Sequence, residues 1–446
     1  MKKYPSFLLL VLLAVSSCQP VDTSSSNTDT SPSDSSSTTE INEAYIERIA
    51  TMVNTGMTIT AEDKTTANSQ VYNPQASLGS AARPLSLSTS EYLEILTFEQ
   101  PYQYGDAYLI KAGDATIAID FGNSSNSSFS DGSSYYDLLK NTYGTYLDNG
   151  HLDLLIITHP HGDHYGGASA FKSATASIDM IVDYGYYTSS GETYRRNIRD
   201  YYVDKGSEYH RVYDMVNETE SGLSRTYITS ELFIDWLDTG YYQATYNNGP
   251  MVDDINVTSV TGILAYRDFT YFFSGDLQDN GSGYNGGTGG LGETNLVSLN
   301  SSNNDIFHKV TMMKAAHHSS SKANNNVLLN VLQPKIVTIS AGAPDPETSY
   351  NGKTGVCGGH PHFEALGRFL TKGSKRIVPK IYLNFLNGTT SFVTNGTSSI
   401  YMQGSPLKTS YSGTSSRGNI AASYGSSEDI YHDIMETTWA QVCHGL

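Results

Sequence analysis

The stretch "LDLLIITHPHGDHYGG", Leu152 to Gly167, places His159, His161, Asp163 and His164 directly behind an apolar run. His159 and His161 are two apart, so on extended backbone they project to the same side. Gly162 allows a tight turn that re-aims Asp163 and His164. One strand end can thus serve two neighbouring cation positions, imidazoles for the first and a carboxylate plus an imidazole for the second. Nitrogen and carboxylate donors suit zinc or manganese. The plain alternative is a polar loop after a strand. It does not account for Asp120 in "IAIDFG", Asp276 in "FFSGDL" and His317-His318 in "MMKAAHHSS", each just after another apolar run. If those strand ends share one edge, Asp276 can bridge two ions as a common carboxylate ligand.

The elements that must position these groups follow from the hydrophobic pattern. "EYLEILTF" reads as a strand, and "AYLIKAGDATIAIDFG" as a hairpin turning at Gly113-Asp114. Residues 134–147 read as a helix, and the continuous apolar run 152–158 as a buried strand. A helix begins at 167–172, followed by the strand "IDMIVDYG". A Tyr-rich segment from about 184 to 250 interrupts the pattern and is expected to be an insertion. "INVTSVTGILAYRDFTYFFSGD" reads as two strands joined at Tyr266-Arg267-Asp268, and 281–292 as a flexible glycine-rich loop. "KVTMMKAAHH" and "PKIVTISAG" are further strands, "HFEALGRFL" a helix, and "SFVTNGTSSIYMQ" a hairpin about Asn395-Gly396. Two sets of strands with interspersed helices predict an α/β protein, a four-layer αββα sandwich.

His159-Pro-His161-Gly-Asp163-His164 resembles the HxHxDH signature of the metallo-β-lactamase superfamily of hydrolases. The likeness runs in order over roughly residues 96–403. "YGDAYLIKAGDATIAIDFG" resembles the opening hairpin of the extracellular domain of ComEC-type DNA-uptake proteins, with Asp120 at the first motif. "INVTSVTGILAYRDFTYFFSGDL" resembles the paired strands that end in the SGD motif. "MMKAAHHSSSKANNNVLLNVLQPKIVTISAG" resembles the Lys-x-x-His-His segment, and "GGHPHFEAL" the late His-Pro motif. The resemblance implies two divalent ions, zinc or manganese, held by His159, His161, Asp163, His164, Asp276 and the pair His317-His318. It leaves open which member of that pair is the ligand. It implies that Asp120 orients a ligand histidine, that Asp163 acts in catalysis, and that Lys314 and His360 assist the leaving oxygen or contact phosphate. The plain readings of Lys314 and His360 are a strand residue and a loop residue. Two departures stand out. The superfamily's third-motif histidine should precede the strand before Asp276, where this chain reads "MVDDINVTS"; either Asp254, with Asp253 or Asn256 as alternatives, stands in, or the site is short of a ligand. The Gly expected after His-His is Ser319. His210, in "SEYHRVYD", is expected to lie on the surface.

The first residues are read as a targeting segment. Lys2 and Lys3 precede an apolar run and then Val15-Ser16-Ser17-Cys18, which resembles a lipoprotein processing site, with residues 1–17 removed and Cys18 lipidated. The plain alternative is an ordinary secretory peptide. Residues 18–90, rich in Ser and Thr, are expected to form a tether and weakly ordered linker, because such a composition offers little apolar surface to offset ordering. The hydrolase domain is expected over 91–408, with a tail over 409–446. Of the three cysteines, Cys357 and Cys443 can pair in an oxidising compartment or remain free. The expected location is the bacterial envelope, anchored by lipid, or outside the cell.

A net charge of −18 argues against a broad nucleic-acid-binding surface, which needs cationic groups to displace counterions. A phosphate substrate must then be captured locally by metal ions. The expected function is a metal-dependent phosphodiesterase or nuclease-type hydrolase that uses a hydroxide bridging two metals. One alternative is another hydrolase on the same scaffold, such as a cell-wall phosphorylcholine esterase, since tyrosines can cage a quaternary ammonium. Another is a surface binding protein without turnover, motivated by the missing third-motif histidine. The 33 tyrosines are expected mainly to pack the fold rather than to stack on bases.

Overall fold

The computed structural model describes residues 92–403, apart from 102–103, 130–131, 218–223, 246–247, 283–286, 304, 342–359, 361–364, 366–367, 370–379, 385–387 and 397–399. The expected targeting segment, tether, Cys18, Cys357, Cys443 and C-terminal tail lie outside the described residues. Among the described residues no helix is long and apolar enough to cross a membrane.

In chain order the first sheet is built from β1 (Leu93–Thr97), β2 (Ala107–Ala112), β3 (Ala115–Phe121), β4 (His151–Ile157), β5 (Ser177–Asp183) and β6 (Glu208–Arg211). The second takes β7 (Arg225–Tyr227), β8 (Leu232–Trp236), β9 (Gly262–Tyr266) and β10 (Phe269–Phe273). After a two-stranded ribbon, β11 (Asp279–Asn280) with β12 (Gly290–Leu291), it adds β13 (Met312–Lys314), β14 (Ile336–Ile339) and β15 (Lys380–Leu383). The chain then returns to the first sheet with β16 (Thr390–Thr394) and β17 (Ile400–Gln403). The orders are β17-β16-β1-β2-β3-β4-β5-β6 and β15-β14-β13-β10-β9-β8-β7.

Alternation along the strands shows how the layers stack. Tyr271, Phe273 and Met312 join the cluster between the sheets, where the rings of Tyr108 and Tyr271 lie 6.4 Å apart. Their neighbours Phe272 and Met313 face the other way, against Leu296 of α4 (Gly292–Asn300) and Leu328, Leu329 and Leu332 of α5 (Asn326–Leu332). Successive strand side chains point to opposite faces, so a sheet covered on both sides reads as continuous apolar sequence. The outer face of the first sheet packs on α1 (Tyr135–Tyr146) and α3 (Ala168–Ala174); the ring of Phe171 lies 4.4 Å from Phe121 and 5.1 Å from Tyr143. Ser134 caps α1 by accepting from the Asp137 N–H. A one-turn helix, α2 (Gly162–Tyr165), lies between α1 and α3 in the chain. The layers are therefore helix, sheet, sheet, helix.

The strand directions put the chemistry on one edge. β3 and β4 run parallel, as do β10, β13 and β14. Their carboxyl ends carry Asp120, His159, Asp276, His317-His318 and Ser340. The antiparallel β2–β3 hairpin pairs Ala107 with Phe121, which brings the start of β2, and so Asp106, to the same edge.

The Tyr-rich segment supplies β6 to the edge of the first sheet and β7 and β8 to the edge of the second, and Tyr184, Tyr186, Tyr194, Tyr202 and Tyr242 are buried. Two expectations need correction. "INVTSV" is not strand. Asp254 accepts from the Asn256 N–H and turns Ile255–Thr258 into a 3-10 helix, so β9 starts only at Gly262; a capping carboxylate competes with the ladder for backbone donors. The glycine-rich loop is shorter than expected, since Gly290-Leu291 pairs with β11 and Gly292 opens α4.

Gly275 links β10 to Asp276 with φ +49°, and a Cβ there would lie 2.6 Å from Cβ and Oγ1 of Thr158 on the other sheet. Left-handed backbone costs an L-residue about 1–2 kcal/mol before any clash. Gly275→Ala should destabilise the chain by about 3 kcal/mol; an unchanged urea midpoint would contradict this close approach.

Candidate metal centre

The side chains at this edge arrange themselves around the Asp276 carboxylate, which is 1 % exposed. On one side, Oδ1 lies 3.2 Å from His164 Nε2 and 3.3 Å from His318 Nε2. Asp163 Oδ2 completes that group, 3.2 Å from His318 Nε2 and 3.8 Å from His164 Nε2. On the other side, Oδ2 lies 3.7 Å from both His159 Nε2 and His317 Nε2, and His159 Nε2 is 2.9 Å from His161 Nδ1. Each group thus contains two or three imidazole nitrogens and shares one carboxylate.

These donors fit divalent cations. Donor atoms about 2.0–2.2 Å from a tetrahedral zinc ion are separated by roughly 3.4 Å, close to the spacings here. Asp276 Oδ1, His164 Nε2 and His318 Nε2 are buried and find no hydrogen-bond partner in the protein. Such atoms carry a desolvation cost unless something between them answers it. The far nitrogens are already tethered, as in most metal-bound histidines. His164 Nδ1 donates to Asp120 Oδ2 at 2.7 Å, and His318 Nδ1 to the Ser340 carbonyl at 2.8 Å. His317 Nδ1 donates to Gln278 Oε1 at 2.7 Å. Asp120 itself accepts from the Thr158 N–H and hydroxyl, so it orients an imidazole rather than joining either group.

The sequence reading left one ligand undecided and one missing, and the geometry bears on both. His317 and His318 diverge to opposite oxygens of Asp276. They do so on left-handed backbone: His317, His318 and Ser319 all adopt positive φ, at 45°, 47° and 66°. His317 stands on the side of His159 and His161. Asn256 is its neighbour there, with Nδ2 3.5 Å from His317 Nε2 and Oδ1 buried without a hydrogen bond. Asp254, the expected stand-in, is engaged elsewhere: it accepts from Gln278 Nε2 at 2.8 Å and Asn280 Nδ2 at 2.7 Å. Asp253 accepts from the Thr288 N–H.

Lys314 also differs from expectation. It is 1 % exposed, its ammonium is ion-paired with Asp106, and it donates to the Gly275 carbonyl, with Asp276 Oδ1 3.5 Å away. Buried in this way, its charge offsets those of Asp106 and Asp276. Asp106, which the sequence reading missed, lies 3.3 Å from His318 Nδ1 and 3.9 Å from His164 Nδ1, and its N–H donates to the Asp163 carbonyl. Asp106 can be grouped with His164, Asp276 and His318 as a ligand set. Its engagement by Lys314 and by the tethered Nδ1 atoms instead favours Asp163 as the fourth donor. His360 sits beside the centre, its ring 5.0 Å from His317 and 4.9 Å from Tyr104, which stacks on His318 at 5.2 Å. His210 lies apart, on β6, 3.7 Å from Glu208.

The acids and imidazoles hold one another's protons. Burial opposes charge on Asp163, but the nearby imidazoles of His164 and His318 outweigh it and leave the carboxyl at about 2. Burial alone would keep His164 and His318 neutral; Asp276 with Asp120, and Asp276 with Asp106, instead raise them well above the usual imidazole range. His159 and His317 go the other way: burial lowers both, His317 to about 4.

Residues 102–213, which span β2 to β6 and hold His159, His161, Asp163 and His164, match the model of the metallo-β-lactamase superfamily. That match covers this segment alone, and no curated protein matches the chain. Among solved structures it is similar to the metallo-β-lactamase fold protein YhfI from Bacillus subtilis, at 10% identity over 65% of this chain and 96% of that one, with a TM-score of 0.34. A diphosphatase from the PhnP family aligns at 9% identity over 56% and 85% of the two chains, with a TM-score of 0.29.

Two measurements probe this centre. Lys314→Met should cost about 3–5 kcal/mol, because it strands Asp106 as a buried charge, and Asp106→Asn in the same chain should recover most of it. Equal midpoints for wild type and Lys314→Met in EDTA would exclude the pairing. Metal uptake near neutral pH should release protons from His164 and His318, whose raised pKa values keep them protonated, so apparent affinity should rise with pH. Calorimetry in buffers of different ionisation enthalpy reads that release directly, and its absence would contradict the assigned protonation.

Proposed function

We propose that this protein is an exported, lipid-anchored, metal-dependent hydrolase of phosphoric esters, of phosphodiesterase or nuclease type. The observation that carries the reading is the Asp276 carboxylate, each oxygen turned to its own cluster of imidazoles. Two cations held by one carboxylate suit in-line displacement at phosphorus, where attacking and leaving oxygens both need positive charge. Divalent ions bound there would supply a nucleophile from water at neutral pH and neutralise charge on the phosphoryl oxygens.

The protein's own groups have separable tasks. Asp163, partly accessible and ionised, faces the reaction space and can orient the attacking water. Asp120 and Ser340 hold His164 and His318 in one ring orientation. His360 and Tyr104 form an edge of the centre from which His360 can hand a proton to a leaving oxygen. Lys314, beside the centre, is buried, and the net charge is −18, so capture of a phosphate falls to the cations. That favours a small or locally presented ester over a long polyanion. A phosphorylcholine ester is the alternative substrate of this kind. A surface binding protein without turnover is the further alternative, and His317 beside His159 and His161 favours the hydrolase over it.

Chelation should abolish hydrolysis of a generic phosphodiester, and zinc or manganese should restore it. His161→Ala should lose metal from the His159 side and reduce kcat at least 100-fold. A panel of DNA, phosphorylcholine esters and β-lactams identifies the substrate class. Full turnover by protein shown to be metal-free would overturn the proposal.

A further inference from the structure

The strained turn that bears both histidines is held by a bracket of residues outside the centre. His317, His318 and Ser319 sit at positive φ in succession, and each non-glycine residue there costs about 1–2 kcal/mol. Such a run persists only where its surroundings over-determine it. The restraint on its near side is Asn324, fully buried and itself at φ 60°. Its side-chain amide grips the peptide just before His317 from both directions: Oδ1 accepts from the Ala316 N–H at 2.8 Å and Nδ2 donates to the Ala316 carbonyl at 3.0 Å.

Asn324 is in turn fixed by an acidic and a basic side chain. Glu293, in the first turn of α4, accepts from the Asn324 N–H through Oε1 and from the Asn325 N–H through Oε2, both at 2.6 Å. Arg368 takes the carbonyls of the same turn, donating to Asn324 O at 3.0 Å, Ser321 O at 2.9 Å and Ala323 O at 2.6 Å. The acid thus holds the donors and the guanidinium the acceptors of one short segment. Glu293 is 0 % exposed and plays no part in the chemistry described above. Burial pushes its carboxyl up to about 8 against the pull of those N–H groups and Arg368, as expected of a group kept for its contacts.

We propose that Asn324, clamped between Glu293 and Arg368, is a positioning residue that sets the opposed directions of His317 and His318 and so the affinity of both cation positions. The inference rests on the metal-centre reading. A loss of alignment at Ala316 moves both imidazoles together, because they are adjacent and face different oxygens of Asp276. The bracket should therefore weaken both positions, unlike a change at His161, which touches one.

The test measures zinc affinity by competition with a chromophoric chelator, on the full chain, beside thermal unfolding in EDTA. Asn324→Ala should lower affinity at both positions by about 10–100-fold at temperatures where its unfolded fraction is negligible. Asn324→Asp keeps the acceptor for Ala316 N–H and tolerates left-handed backbone, so it should restore part of that loss. It also serves as the decisive variant if Asn324→Ala fails to fold. Wild-type affinity at both positions in a folded variant, or loss at one position alone, would overturn the bracket. Failure of the wild-type chain to bind zinc at all would instead overturn the metal-centre reading itself.

Discussion

Four carboxylates, Asp106, Asp120, Asp163 and Asp276, are gathered at one buried edge, and the rest of the structure answers that concentration of charge. Two like charges 4 Å apart at an effective dielectric of about 20 repel by about 4 kcal/mol. Lys314 neutralises one carboxylate through Asp106. The protons retained by His164 and His318 offset two more, which is why neighbouring acids raise those imidazoles against the effect of burial. Two divalent cations would replace those protons and leave the centre with spare positive charge, which is what an anionic ester requires. The electrostatics that make the metal-free edge costly are those that would make it bind.

The fold delivers these groups because the reactive residues sit at the carboxyl ends of parallel strands, where the backbone leaves the sheet and side chains converge. β3 and β4 contribute from one sheet, and β10, β13 and β14 from the other. Asp276 reaches the seam between the sheets through Gly275, whose approach to Thr158 leaves no room for a side chain. Thr158 also donates to Asp120 and passes its carbonyl to the Val260 N–H. One threonine therefore links the His159 loop, the support of His164 and the opposite sheet.

Local patterns made the centre legible in the sequence, and non-local pairing set the limit. The histidine cluster, Asp276 and His317-His318 each follow an apolar run, so their strand ends could be read one at a time. Asp106 stands before its strand, and only the β2–β3 hairpin, with Ala107 opposite Phe121, turns it to the same edge. For Lys314 a signal was present: Met312 and Lys314 are two apart on β13, and Met312 lies between the sheets. The same alternation sends Lys314 inward. The strands of the Tyr-rich segment were hard to read because β6, β7 and β8 are three to five residues long, and β6 pairs with β5 and β8 with β9 across long stretches of chain. Tyrosine, apolar on its ring and polar at its tip, does not declare which face is buried.

Asn256 shows how a ligand gap can be closed from a different element. The segment before β9 turns away as a 3-10 helix because Asp254 caps it and is itself spent on Gln278 and Asn280. The residue it presents toward the centre is therefore Asn256, an amide and a weak donor to a cation. Gln278, fastened in the same network, accepts from His317 Nδ1 and so points Nε2 toward the space Asn256 does not fill. With donors at the end of β13, two adjacent residues turn to opposite oxygens of Asp276. They do so on left-handed backbone, which carries a conformational cost at each non-glycine position and needs surroundings that hold it.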